Sequence, residues 1–240
     1  MALFALSDLH LSLSSDKPMD VFGSPWQNHT ERIRDNWNKT VKDNDLVIIG
    51  GDVSWATYLS GVSSDFEFIN SLPGKKLIIK GNHDYWWESI TKLEKFVLEN
   101  GFESISFLHN SSFTYENFSI AGTRFWLTPD SDNFTEEDKK IYDRELIRLS
   151  LSLESLSKKE LEFPDRKFKR IAVLHFPPVN SQGKCDERVL EILKKHSVEK
   201  CIYGHLHSGG IKTGFTGSID GIDFYLTSAD ALGFIPLQIK

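Results

Sequence analysis

Only two cysteines, Cys185 and Cys201, occur in the 240 residues. They are too few for a disulfide framework, so the core must hold the fold and a reducing, cytoplasmic setting is expected. No stretch nears the ~20 consecutive apolar residues of a membrane span. The apolar start has no basic segment and reaches Asp8 too early for a signal peptide. Positive charge is also in short supply, with 28 Lys and Arg against 34 Asp and Glu for a net −6. That balance gives no basic stripe for a nucleic-acid backbone. The expectation is a soluble protein with neither a membrane nor a long nucleic acid as partner, and the sequence says nothing of its oligomeric state.

What is present begins with Leu77, Ile78 and Ile79, followed by Gly81, Asn82, His83 and Asp84. A buried β-type run that stops at glycine and then presents an amide, an imidazole and a carboxylate reads as a strand delivering polar groups to a sheet edge. Open α/β sheets bind ligands at that edge. The arrangement recurs four times: Leu3–Leu6 before Ser7, Asp8, Leu9, His10; Leu46–Ile49 before Gly50, Gly51, Asp52; Ile171–Leu174 before His175; and Cys201–Tyr203 before Gly204, His205, Leu206, His207. Asp8 and His10, like His205 and His207, are two apart, so extended backbone would point each pair the same way. The product is a cluster of Asp, His and Asn donors able to hold divalent metal. With 40% hydrophobic content the chain can bury a full core, and ligand-bearing strands from position 8 to 207 argue for a single domain, 1–240.

Between these blocks, residues 12–27 read as a loop. Asn28 or Thr30 can cap a helix to about Lys42, with Ile33, Trp37 and Val41 inward. Further helices are expected at 64–70, at 87–99 with Gly101 as the stop, and after Asp186 to about Lys195. Runs at 104–108, 112–115 and 118–122 suggest local antiparallel pairing. A helical excursion spans about 127–165. Thr135 and Asp138 form its capping signal, and Tyr142, Leu146, Leu149, Leu153 and Leu156 form a seam that suits either the protein's own body or a cap or oligomer contact. Strands are expected at 211–215, 222–227 and 234–239. The pattern is α/β: a two-sheet sandwich with helices on the outer faces. His29 and His196 fall at predicted helix ends and His109 at a turn, where capping or exposure explains them.

The order Asp-x-His, Gly-Asp, Gly-Asn-His-Asp, His, Gly-His-x-His resembles the calcineurin-like metallophosphoesterase superfamily block for block, from Asp8 to His207. The resemblance implies a two-sheet α/β sandwich and two divalent ions, with Asp8, His10 and His207 as ligands of one, Asn82, His175 and His205 of the other, and Asp52 as the bridge. It implies hydrolysis of a phosphoester by hydroxide held between the ions, with His83 facing the substrate and protonating the leaving group, and Asp84 orienting groups around the site. The donor set has no thiolate and suits Mn, Fe, Zn or Ni. A small phosphorylated substrate, monoester or diester and nucleotide-like among the options, is compatible with the acidic balance because bound cations supply local positive charge.

One block departs from the protein Ser/Thr phosphatase branch, whose Gly-Asp-x-x-Asp-Arg-Gly becomes Gly51, Asp52, Val53, Ser54, Trp55, Ala56, Thr57. Trp55 replaces the acid that would pair with the histidine, and Ala56 replaces the phosphate-gripping arginine. The chain therefore resembles the small bacterial-type phosphohydrolases instead. Trp55, Tyr85, Trp86, Trp87 and Trp126 offer either ring faces for a base or aryl group or packing anchors under the loops. Arg124 offers a second phosphate contact or a surface ion pair, and Asn180–Gly183 a pocket rim or a connector. Two alternatives stay open: a non-catalytic metal-binding scaffold of the same fold, and a nuclease.

Overall fold

Strand runs such as Leu46–Ile49 are apolar throughout, which suits strands covered on both faces, whereas the helices need only one apolar stripe. The computed structural model describes residues 1–14, 17 and 19–240; positions 15, 16 and 18 of the expected 12–27 loop lie outside the described residues. In chain order the elements are β1 (Leu3–Ala5), α1 (His29–Thr40), β2 (Leu46–Ile49), α2 (Ser63–Ser71), β3 (Lys75–Ile78), α3 (Ile90–Glu99), β4 (Ile105–Phe107), β5 (Ser112–Tyr115), β6 (Phe118–Thr123), α4 (Glu136–Glu160), β7 (Lys169–Leu174), α5 (Glu187–Lys195), β8 (Lys200–Tyr203), β9 (Gly217–Ile219), β10 (Ile222–Leu226) and β11 (Leu237–Ile239). They fall into two compact units, 1–107 with 227–240, and 108–226.

The first unit holds a five-stranded sheet, ordered β11-β1-β2-β3-β4. β1 to β4 run parallel, and β11 closes the β1 edge antiparallel. Helices α1, α2 and α3 are the crossovers, so the loops leaving β1, β2 and β3 emerge side by side at one edge. Ile33, Trp37 and Val41 of the expected stripe are buried, with Phe66 and Leu93 in the same core. Trp37 donates its Nε1–H to the Pro73 carbonyl at 2.9 Å.

The second unit holds a six-stranded sheet, ordered β5-β6-β7-β8-β10-β9. Four central parallel strands are flanked by an antiparallel neighbour on each side. α4 packs on β6 and β5 with all five seam residues buried, so the seam faces the body of its own unit. Its start carries the expected capping box of Thr135 and Asp138. The Asp186 carboxylate caps α5 through the Val189 N–H and also accepts the Tyr142 hydroxyl at 2.7 Å.

Several local expectations are corrected. β4 does not join an antiparallel meander; it lies parallel to β3, because α3 makes it a crossover product and Ser104 is held by Asn70 and by the Lys76 N–H. Residues 208–213 form a 3-10 turn instead of the strand expected at 211–215, with the Tyr203 hydroxyl bonded to both the N–H and the carbonyl of Phe215. α3 begins at Ile90, since residues 83–87 are occupied by tight turns. The last strand covers only 237–239. Asn28 stands at the start of α1 in left-handed backbone without a side-chain cap. His29 and His196 are buried, not exposed.

Candidate metal centre

Leu6 donates to the Ile48 carbonyl, Asp8 to Gly51, His10 to Asp52 and Leu11 to Val53, and Trp55 donates back to Leu11, all between 2.9 and 3.0 Å. The chain beyond β1 is thus laced to the chain beyond β2. Within the lacing, Asp8, His10 and Asp52 have φ of 56°, 44° and 52°. Left-handed backbone costs an L-residue about 1–2 kcal/mol, with Asp and His among the types that tolerate it. The Asp-x-His pair is therefore aimed by two left-handed residues, correcting the extended backbone expected from its spacing; His205, at φ 70°, corrects the second pair likewise.

Strain of this kind persists where surrounding contacts over-determine it, and here it gathers three donors. Asp8, His10 and Asp52 are buried, and each offers one ligand atom within 4.8 Å of the others. His10 Nε2 lies 3.8 Å from Asp52 Oδ2. Two carboxylates and an imidazole, with no thiolate, fit a divalent ion of intermediate hardness. Gly81 forms the neighbouring wall: a Cβ there would lie 2.1 Å from Asp52 Oδ1 and 2.2 Å from the Asp52 nitrogen. That closeness explains the glycine ahead of Asn82 and His83.

Asp84 sets the geometry from behind. Its Oδ2 accepts the N–H groups of Asp52 at 2.9 Å and Gly81 at 2.7 Å; its Oδ1 accepts those of Val53 at 2.8 Å and Ser54 at 3.4 Å and the Trp86 indole at 3.1 Å. One buried carboxylate thereby joins the β2 loop to the β3 loop, as supporting groups around metal ligands commonly do. The His83 N–H donates to Asp52 Oδ1 at 2.8 Å. The His83 ring lies 4.7 Å from Trp55 and 5.8 Å from His10, and Trp55 stacks on His10 at 5.0 Å. Trp55 is thus a wall for two imidazoles, and Trp86, fully buried, is a packing anchor.

In the second unit the strand ends bring His175 and His205 together, their rings 5.2 Å apart and nearly perpendicular. His207 follows in extended backbone. A stack runs from His205 to Phe176 at 4.1 Å, to Trp126 at 4.8 Å and to the Arg124 guanidinium at 4.5 Å. The Arg124 carbonyl accepts the N–H groups of His175 and Phe176.

Two supporting acids escaped the sequence reading. Asp65 on α2 accepts the Leu13 N–H at 2.9 Å and the Ser54 hydroxyl, which pins the loops leaving β1 and β2. Burial holds its carboxyl above the usual range, partly offset by those bonds. Glu145 on α4 accepts the Thr123 hydroxyl and the Phe125 N–H, gripping the chain on either side of Arg124. Both were legible as acids on apolar stripes, Val62-Asp65-Phe66-Ile69 and Tyr142-Glu145-Leu146-Leu149. His29 was missed as well. Its ring bonds to the backbone of His10 and Trp26, and burial lowers its pKa.

Carboxylates and imidazoles at the carboxyl ends of parallel strands define an α/β protein with candidate metal ligands at its strand ends. Residues 1–209 match the family model of the calcineurin-like phosphoesterases, and the chain belongs to that family. No curated protein matches it significantly. Similar solved structures include TT1561 of Thermus thermophilus, at 12% identity over 99% of this chain and 97% of that one, with a TM-score of 0.54. AQ665 of Aquifex aeolicus, a protein of unknown function, is 16% identical over 99% and 95%, with a TM-score of 0.50. GAP50 of Plasmodium, described as the anchor in the inner membrane complex, is 14% identical over 96% and 72%, also with a TM-score of 0.50. At these identities the likeness is one of fold. Among the described residues no helix is long and apolar enough to cross a membrane.

Proposed function

We propose that the chain is a dimetal-dependent hydrolase of a small phosphoester. The observation that carries this reading is the buried Asp8, His10 and Asp52 cluster in a chain of the calcineurin-like phosphoesterase family. The family pattern assigns Asp8, His10 and His207 to one ion, Asn82, His175 and His205 to the second, and Asp52 to both. Bound divalent ions supply Lewis acidity toward the phosphoryl group and bring the pKa of water toward neutrality. The protein's part is positioning and proton transfer. Asp84 fixes the backbone that aims Asp52, and His83, anchored through its own N–H to Asp52, protonates the departing oxygen. Trp55 limits the motion of that ring where a carboxylate would otherwise do so.

The test is turnover of 4-nitrophenyl phosphate and bis(4-nitrophenyl) phosphate by chelated protein reconstituted with Mn, Ni, Zn or Fe. Metal-dependent turnover that falls at least 100-fold in His83→Ala is expected, and the ratio of the two rates separates monoesterase from diesterase. A protein that binds two ions yet turns over neither ester, nor any phosphoester of a wider panel, would instead be a scaffold. Hydrolysis of long DNA in preference to both esters would make it a nuclease.

A further inference from the structure

The loops leaving β6, β7 and β8 enclose a cleft of about 580 Å³ in the second unit, within the size range of small-molecule sites. Its position is set by the chain that carries the candidate ligands. Leu206, between His205 and His207, lines it, and so does Pro177, two residues beyond His175. Three neighbouring parallel strands thus place a cleft and two of the family's metal-ligand loops at the same carboxyl edge.

The mouth of the cleft is built. Asn180 Oδ1 accepts the N–H groups of Gln182 and Lys184, both at 3.0 Å, and its Nδ2 donates to Asp130 across the opening. Asp130 also accepts the Thr128 hydroxyl, and these bonds hold its carboxyl below the usual range. The 179–185 loop is a closed hairpin with Val179 bridged to Cys185. The lining is mainly polar, with Asp130, Asp132, Ser131, Asn180 and Thr213 offering carboxylate, hydroxyl and amide groups, and Leu127, Pro177 and Leu206 add apolar surface. Lys184 is engaged with Glu187 at 3.0 Å, leaving the lining, with Asp130 and Asp132, acidic on balance.

A cleft lined mainly by carboxylate, hydroxyl and amide groups, with a few aliphatic side chains among them, matches a ring that carries several hydroxyl groups on an apolar frame. An acidic lining disfavours a second anionic group on the same ligand. On the reading of the chain as a phosphoesterase, we infer that this cleft takes the leaving group, and that the leaving group is a neutral polyhydroxylated ring, as in a sugar monophosphate. In the reaction the bond from phosphorus to the sugar's exocyclic ester oxygen breaks, water gives its oxygen to phosphorus, and a proton passes to the departing ester oxygen.

Glucose 1-phosphate, glucose 1,6-bisphosphate and 4-nitrophenyl phosphate are the probes. The expected result is a kcat/KM for glucose 1-phosphate at least tenfold above that for the bisphosphate. That ratio should narrow at least fivefold in Asp132→Asn, a substitution at an exposed position that the fold tolerates. Independently of turnover, saturation-transfer NMR on the chelated protein should show contact with the glucose ring protons that is lost in Leu206→Trp. Equal handling of the two sugar phosphates, or ring contact unchanged by Leu206→Trp, overturns the inference while 4-nitrophenyl phosphate is still hydrolysed. Loss of activity toward all three with every metal strikes the phosphoesterase reading instead.

Discussion

Asp84 ties the candidate site together, because five N–H donors from two loops converge on its two oxygens. Replacing it by alanine leaves buried donors unsatisfied, and breaking such a network costs about 3–5 kcal/mol. Urea unfolding of chelated Asp84→Ala should show a loss of that size, with metal affinity reduced as well. Asp52→Asn is the complementary case. It keeps the shape and removes the charge, so bound metal and turnover should fall together, as measured by metal analysis of the dialysed protein and by ester hydrolysis. Gly81→Ala places a methyl group against the Asp52 carboxylate and backbone. Moving a ligand through its surroundings typically costs 10–100-fold in metal affinity, and calorimetric titration with Mn should show at least the lower figure. Gly81 was legible as a turn residue, but its closeness to Asp52 was not, since that contact joins positions 29 apart in the chain.

At the scale of elements, the strands that precede the ligands were readable because fully buried parallel strands are continuous apolar runs, and the amphipathic helices were readable from their stripes. What escaped was pairing. β4 and the 208–213 turn are short, and their partners are chosen by crossovers and by side chains such as Tyr203, which no local pattern records. Polar groups on apolar stripes were passed over too, although they tie helices to loops: Asp65, Glu145, and Ser152, whose hydroxyl accepts the Gly122 N–H at 2.9 Å. The left-handed backbone of Asp8, His10 and His205 was hidden for a related reason, since neighbouring loops impose it. Lys76 in β3 gives a test of such burial. Its side chain is wholly buried, donating to the Leu72 carbonyl and to Ser104, and desolvation lowers its pKa from 10.5 to about 8, with Asp43 opposing. Below pH 8 both folded and unfolded states hold the proton and the burial cost is complete. Between about 8 and 10.5 the unfolded state binds more protons, so stability rises with pH, by up to about 3 kcal/mol. Unfolding free energies at pH 7.5 and 10 should differ in that direction, and the rise should vanish in Lys76→Met.

For the whole molecule, Asp8, His10 and Asp52 lie on two different loops of the first unit, so metal held there should stabilise beyond any one loop. Ligand binding to the folded state adds about 2.7 kcal/mol at one hundred times Kd. Calorimetric scans should show a higher midpoint with Mn than with chelator, and a smaller difference in Asp52→Asn. The first unit is itself discontinuous. β11 covers the open edge of β1, Ser7 exchanges backbone bonds with Thr227 and Ala229, and Asn36 on α1 donates to the carbonyls of Gly233 and Phe234. On the ribosome β1, which leads into Asp8 and His10, is therefore made long before its antiparallel partner β11. That edge waits for β11 through more than two hundred residues of synthesis, while the second unit, one continuous segment, has every strand made before β11.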